Sequence, residues 1–428
     1  MLDIKFIREN SEAVKKATKD KKINVDIDRL LEVDDERKNA LTSVEELRAE
    51  RNNASEKIKD ITNKDEREEK IKAVKELKEK LGEQEDKLQE AENAIRNIVL
   101  QIPNIPLKDV KVGEDETSNE ILREVGEPNK FDFEPKNHVE LGKELDIIDI
   151  ERATKISGSR FYYLKGVATL LEFAIVQYAL KKMTEKKFVP VIPPVMISKK
   201  AMEAMGFLSR EGDAEESYYF EKDDLYLVGT SEQSIGTMYM DEVLKEEDLP
   251  KRYVGFSTCF RREAGSYGKD TKGILRVHQF DKLERFVFCK PEDNEQEQEN
   301  MLADTEEMMK ELGLPYRVVK LCTGDLGFVS ARTYDIETWL PSENKYRETH
   351  SMSTCTNFQS RRLNTRYKNK ETGKNEFVFT LNGTVFAIGR ILIAILENYQ
   401  NADGSVTVPE VLQQYVGKKV IKSKVLKV

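Results

Sequence analysis

One stretch of this 428-residue chain concentrates groups able to handle a polyanion: YVGFSTCFRREAGSYGKDTKGILRVHQFDKLERFVFC, from Tyr253 to Cys289. An apolar run leads into Arg261, Arg262 and Glu263. A Gly- and Lys-rich stretch follows, and a second run returns through Arg276, His278, Phe280 and Glu284. Folded as an antiparallel hairpin, the two runs bring Arg261 and Arg276 toward each other. Two guanidiniums on neighbouring strands form a clamp suited to phosphate oxygens. Read without function, the same pattern is a solvated hairpin with scattered salt bridges. The chain has no G-x-x-x-x-G-K-[ST] loop and no G-x-G-x-x-G after a strand. Gly265, Gly268 and Lys269 have the composition of such a loop but not its spacing. A nucleotide would have to be held by side chains.

Further segments join this one in a fixed order: KKFVPVIPPVMI (186–197), LVGTSEQSIG (227–236), RETHSMSTCTNFQSRR (347–362) and LNGTVFAIGRILIAILENYQ (381–400). Together they resemble the motifs of class II aminoacyl-tRNA synthetases, and FRREAGSYGKDTKGILRVHQFDKLE is similar to the second motif of the seryl-tRNA synthetases. Pro194 matches the signature proline of the first motif. The resemblance covers essentially the whole chain. It implies an antiparallel sheet flanked by helices, a homodimer built partly on the first motif, and a two-step reaction in which serine and ATP give seryl-adenylate and the seryl group passes to the serine tRNA. The family usually also serylates the selenocysteine tRNA.

The resemblance implies roles position by position. Arg261, Arg276 and Arg390 form the catalytic set, Arg261 at the α-phosphate and the other two at the β/γ end of a bent ATP. The other nucleotide-binding positions are Arg262, Glu263, Val277, His278, Gln279, Phe280, Glu348, Thr349, His350 and Ser351. Glu263 meets the adenine amino group and Phe280 stacks on the ring. Glu348 and Ser351 match the Mg²⁺ ligands, hard oxygens for a hard ion. Serine maps onto Thr230, Ser231, Glu232, Arg261, Glu284, Asn382 and Thr384. Glu232 pairs with the ammonium, and Glu284 accepts from the hydroxyl. No general base is needed, because the serine carboxylate is ionised at neutral pH.

Two places depart from the common bacterial form: Gly229-Thr230-Ser231-Glu232 where proline-Thr-Ala-Glu is frequent, and Gly383-Thr384-Val385-Phe386-Ala387 where Gly-Ser-Gly-Leu-Ala is usual. Thr384 keeps the hydroxyl and adds a methyl. His278 and His350 beside the motifs read as structural, and Cys259 and Cys355 as small buried fillers. The alternative to an active enzyme is a catalytically altered paralogue that loads another carrier or serves as an RNA-binding scaffold. Retention of Arg261, Arg276, Glu348 and Arg390 together argues against it.

The elements that must position these residues are partly legible. Strands are expected at Val189–Ile192, Leu225–Val228, Tyr253–Cys259, Phe286–Cys289, Tyr316–Leu321 and Phe377–Thr380. Helices are expected at Val167–Lys181, Glu295–Leu312 and Phe386–Tyr399. Strands in succession, without βαβ alternation, predict an antiparallel sheet and an α+β fold. Upstream, Leu30, Val33, Ala40, Val44, Leu47, Ala54, Ile58 and Ile61 recur at heptad spacing, with Arg37 and Arg51 in the seam. Val74, Leu77, Leu81, Leu88, Ala91, Ile95 and Ile98 continue it. Two such runs joined by Thr62–Lys70 predict an antiparallel coiled-coil hairpin of helices about 45–50 Å long. It matches the family's tRNA-binding arm. Pro103 and Pro106 end it. The expected divisions are an arm over 1–106, a linker over 107–130 and the catalytic domain over 131–428.

Charged residues make up 35% of the chain, against about 25% in an average soluble domain, as a long solvated arm would require. The net charge is −9, so bulk charge does not announce an RNA partner. Residues 27–100 hold 16 Lys and Arg against 21 Asp and Glu, so only one face of the arm can meet phosphates. Four Cys form no C-x-x-C pair, which predicts a reducing, cytoplasmic setting without zinc. The most apolar stretch, Phe386–Leu396, contains Arg390 and is too short to span a membrane.

Overall fold

The computed structural model describes residues 2–59, 62–209, 212–264, 270 and 272–423. The chain divides into two compact units, Met1–Pro103 and Asn104–Val428.

The first unit is helical: α1 (Ile4–Glu9), α2 (Ser11–Asp20), α3 (Ile27–Ile58) and α4 (Lys64–Leu100). At about 1.5 Å per residue, α3 and α4 run roughly 48 and 55 Å. Every described heptad position is buried or half-buried, with Leu30, Val33, Ala40, Val44, Leu81 and Ala91 deepest; Ile61 lies outside the described residues. The connection is shorter than expected. Asn63 caps α4 by accepting from the amides of Asp65 and Glu66, so the polar residues from Lys64 onward already belong to the helix. Arg37 is half-buried at its heptad position and turns its guanidinium to Asp34 at 2.9 Å.

The second unit is built on eight strands: β1 (Glu120–Val125), β2 (Val189–Val191), β3 (Lys251–Phe260), β4 (Gln279–Cys289), β5 (Tyr316–Lys320), β6 (Arg332–Leu340), β7 (Lys345–Thr356) and β8 (Phe379–Ala387). Their order is β1-β5-β6-β7-β8-β4-β3-β2. Only β2 pairs in parallel, with β3. Helices α5 (Val167–Glu185), α7 (Asn294–Glu311) and α9 (Ile388–Asn398) contribute Leu171, Ile175, Met301, Met309, Ile391 and Ile395 to the main core with the sheet's Leu283, Val287 and Leu381. The short helix α6 (Ser231–Ile235) packs Ile235 against Phe286 and Phe288, which project from the opposite face of β4.

Two expectations change. The 107–130 segment, expected as a surface connection, supplies β1 as an edge strand paired with β5. β6 and β7, unmarked in the sequence reading, are long neighbouring strands. Their Thr333, Asp335, Glu337, Glu348, Ser351 and Ser353 line an open groove, and polar residues on that face dilute the apolar pattern by which a strand is recognised.

Candidate active site

Strand β4 organises the site. Phe280, Lys282 and Glu284 occupy alternate positions and so share one face, while Leu283 and Val287 enter the core on the other. Opposite Glu284 stands Thr384 of β8, and a bulge follows in β8 so that Phe386, two residues on, pairs with Leu283. The bulge lets Thr384 face the site while Val385 and Phe386 both join the core. A bulge in β7 likewise places Glu348 against Glu337 and His350 against Ile336.

The two strands of the arginine segment meet with a different register from the one expected. The Arg261 amide donates to the His278 carbonyl at 3.0 Å, so Arg276 lies beyond the ladder. Its Nη1 donates to Glu263 Oε2 at 2.7 Å. The arginines are nevertheless brought together: Arg261, Arg276 and Arg390 line one cavity with Glu263, Phe280, Lys282, Glu348 and Thr384. The Arg261 guanidinium lies 5.3 Å from the centre of the Phe280 ring, and its Nε donates to the Gly229 carbonyl at 3.1 Å. Arg390 donates to the Glu348 carbonyl at 2.9 Å and meets its carboxylate at 3.0 Å.

From Leu275, Arg276, Glu348 and Arg390 the cavity opens into a groove of about 970 Å³ over β5, β6 and β7. Arg347 enters it, bound to Asp270 at 2.6 Å. Burial works against the Glu348 carboxylate, yet the charge and hydrogen bond of Arg390, with Arg261 and Lys282 behind, hold it below the usual range. Asp335 is pushed the other way, by burial and by the charge of Glu348. Its Oδ1 is buried with no hydrogen-bond partner. Among the described residues, no three His, Cys, Asp or Glu side chains form a metal-holding group.

At the other end is a cluster of buried acidic side chains. Thr230 caps α6, and the next turn buries Glu232, whose Oε1 accepts from Gln359 Nε2 at 2.9 Å and Asn382 Nδ2 at 3.0 Å. Burial, and then the charge of Glu284, push Glu232 up to about 7, against the pull of Gln359, Lys282 and Arg261. Lys282 forms an ion pair with Glu284 and donates to Thr230 Oγ1 at 3.4 Å. Thr384 Oγ1 donates to Glu284 Oε2 at 3.4 Å.

Several other expected positions turn away from this arrangement, and three line it. Ser231 turns beneath α6 to Ser257 at 2.8 Å. The His350 ring is buried against Phe386, and burial with the charge of Arg285 lowers it to about 3. His278 sets Nδ1 against the Arg261 carbonyl at 3.0 Å and lies beside Phe161. The Arg262 amide donates to the Glu216 carbonyl at 2.9 Å. Gln279 is exposed. Val277 and Thr349 line the cavity, and Ser351 the groove. All four Cys are free and buried. The sequence reading assigned no role to Lys282, Gln359, Asp335, Asp270 or Arg347. Lys282 carried a signal, its place two residues before Glu284 on the same strand face; the others carried none.

An antiparallel sheet with three arginines lining one cavity and two buried carboxylates next to it, in a chain that also contains a long helical hairpin, is the build of a class II aminoacyl-tRNA synthetase. Residues 218–399 match the tRNA synthetase class II core domain (G, H, P, S and T), and residues 1–106 match the seryl-tRNA synthetase N-terminal domain. The serine–tRNA ligase of Thermodesulfovibrio yellowstonii is 46% identical over 99% of this chain and 100% of its own length. Among solved structures, the seryl-tRNA synthetase of Pyrococcus horikoshii complexed with ATP superposes with a TM-score of 0.92 at 40% identity, covering 99% of this chain and 100% of that one. The cytoplasmic serine–tRNA ligase of Naegleria fowleri in complex with AMP gives 0.86 at 33%, covering 99% of each. The chain belongs to the seryl-tRNA synthetase family.

Proposed function

We propose that this protein activates L-serine with ATP and transfers the seryl group to the 3′ end of the serine tRNA, and of the selenocysteine tRNA where one is present. One observation carries the reading: a cavity lined by Arg261, Arg276, Arg390 and Lys282 adjoins two buried carboxylates, Glu284, which pairs with Lys282, and Glu232. Phosphate oxygens meet the first and an amino-acid ammonium meets the second. A serine carboxylate oxygen bonds to the α-phosphorus, the bond from that phosphorus to the bridging oxygen breaks, and pyrophosphate leaves. Positioning and charge neutralisation supply most of this catalysis. Arg261 lies between the two ends, where it can span carboxylate and α-phosphate, and Arg276 and Arg390 hold the departing end. In the second step a ribose hydroxyl of the tRNA attacks the seryl carbonyl and AMP leaves.

Magnesium suits the donors present. Glu348, Ser351 and Asp335 line one groove, and Mg²⁺ takes one or two carboxylates, completing its shell with water and phosphate. Bound there, the ion would neutralise charge on the phosphates. Homodimerisation and a cytoplasmic location complete the reading. No helix among the described residues is long and apolar enough to cross a membrane.

The test is ATP–pyrophosphate exchange with serine, threonine, alanine and glycine, with and without Mg²⁺. Serine-selective, metal-dependent exchange is expected. Alanine should fall about 10- to 150-fold below serine in kcat/KM, because a hydrogen bond to a charged acceptor contributes about 1.5–3 kcal/mol. Exchange favouring another amino acid would overturn the substrate, and none with any would overturn the enzyme.

A further inference from the structure

The serine pocket holds a cation that neither substrate supplies. Lys282 is nearly buried, its ammonium paired with Glu284 and within 3.4 Å of Thr230 Oγ1. A lysine that loses its hydration is retained only where its charge is met, and here it is met by a side chain expected to contact the substrate. Two carboxylates share this site, and both are buried, so bulk solvent screens them little from each other. Glu232 is held by two neutral amides, Gln359 and Asn382, which orient it without cancelling its charge. Glu284 has the neutral Thr384 hydroxyl and, as its one ion-pair partner among the described residues, Lys282.

We propose that Lys282 is the internal counter-ion of the serine pocket, a positioning residue that keeps Glu284 charged and oriented beside Glu232. The inference rests on the serine reading above. The charges then balance in pairs once substrate enters: ammonium with Glu232, Lys282 with Glu284, and Arg261 with the carboxylate. Glu284 remains an acceptor with lone pairs to spare for the serine hydroxyl. Without Lys282, two adjacent buried carboxylates resist ionising together, and one of them takes a proton. Every element around the pair contributes to this balance. α6 brings Glu232, β3 brings Cys259, β4 brings Lys282, Glu284 and the fully buried Arg285, β7 brings Glu348 and His350, and Arg261 follows β3. Burial raises the Cys259 thiol and lowers His350, so both are neutral. Glu348 is matched by Arg390.

The experiment uses the full chain and three variants: K282M, K282R and the double variant K282M/E284Q. Serine-dependent exchange is followed from about pH 5 to pH 9, alongside ATP affinity by titration calorimetry. K282M should lose at least about 30-fold in kcat/KM for serine at neutral pH, with ATP affinity within about twofold of wild type. The acid limb of its serine profile should move up by about one unit. K282R should return that limb to its wild-type place. The double variant, which removes both charges and so folds even where K282M does not, should show the limb at or below the wild-type position. A K282M profile with an unmoved limb would overturn the proposal, whatever the loss in rate. So would a double variant whose limb stays high. Wild-type protein without serine-dependent exchange would overturn the serine reading as well, which separates the two failures.

Discussion

Burial and the neighbouring charge of Glu284 bring Glu232 into the neutral range. An acid displaced from its ordinary value up to about 7 is protonated below that pH and cannot pair with an ammonium, so serine binding should weaken as the medium becomes more acid. KM for serine should rise about tenfold per pH unit below 7 while KM for ATP stays nearly level, since the arginines keep their charge. Steady-state exchange at saturating ATP over that range measures it, and a serine KM indifferent to pH would refute the assignment. Single residues were unevenly legible. Arg261, Glu232 and Glu284 lie inside ordered motifs and could be singled out from them. Lys282 could be found only through its spacing from Glu284, because a lysine between aspartate and leucine in a strand otherwise reads as one more solvated charge. Gln359 and Asp335 were hidden differently: their importance lies in what faces them from other strands, and no spacing in the chain records that. Asp335 is opposite Ser351 only because β6 and β7 pair in that register.

Short elements set the precision of the pocket. Helix α6, which carries Glu232, lies so close to β3 that a Cβ on Gly255 would stand 2.5 Å from Ile235 Cδ1 and 3.1 Å from Ser231 Cβ. G255A should therefore push α6 off the sheet, destabilise the fold by about 1–3 kcal/mol and raise the serine KM more than the ATP KM; thermal unfolding with exchange kinetics reads both. The arm has its own fixed point. Asp34 of α3 is almost wholly buried and accepts from Arg8 at 2.7 Å, Arg37 at 2.9 Å and Lys38 at 3.0 Å. Burial alone would raise its pKa, but these cations outweigh burial and hold it near 2, below the ordinary 3.8. A depressed carboxylate stabilises fully above its unfolded value and loses that contribution as pH falls toward the folded one. Wild-type protein should shed about 2 kcal/mol between about pH 4 and pH 2, and D34N should show no such loss. Acid titration followed by circular dichroism, at matched denaturant, compares them. Helices and heptads were plain in the sequence because their apolar spacing serves burial alone; β6 and β7 were not, because half of each strand faces the groove.

At the scale of the molecule, the proposed activity divides between two units of different chemistry, and the arm's charge decides where RNA can meet it. The arm carries more acid than base, and part of its base is already engaged: Arg37 and Lys38 with Asp34, and Arg48 with Glu85 at 2.7 Å. On α4, Lys72, Lys75 and Lys78 differ. They recur every third residue, are exposed, and form no ion pair among the described residues, so they make a row along one side of the helix that is free for phosphates. Replacing all three with glutamine should raise the KM for serine tRNA about tenfold or more, reduce its salt dependence by two to three counter-ions' worth, and leave exchange without tRNA unchanged. Aminoacylation measured across salt concentrations, beside exchange on the same preparations, tests each part. Equal losses in both assays would mean that the arm supports the fold of the catalytic unit and does not hold RNA. Unchanged aminoacylation would place the RNA on another face, among other exposed cations of the arm such as Lys57, Lys80 and Lys87.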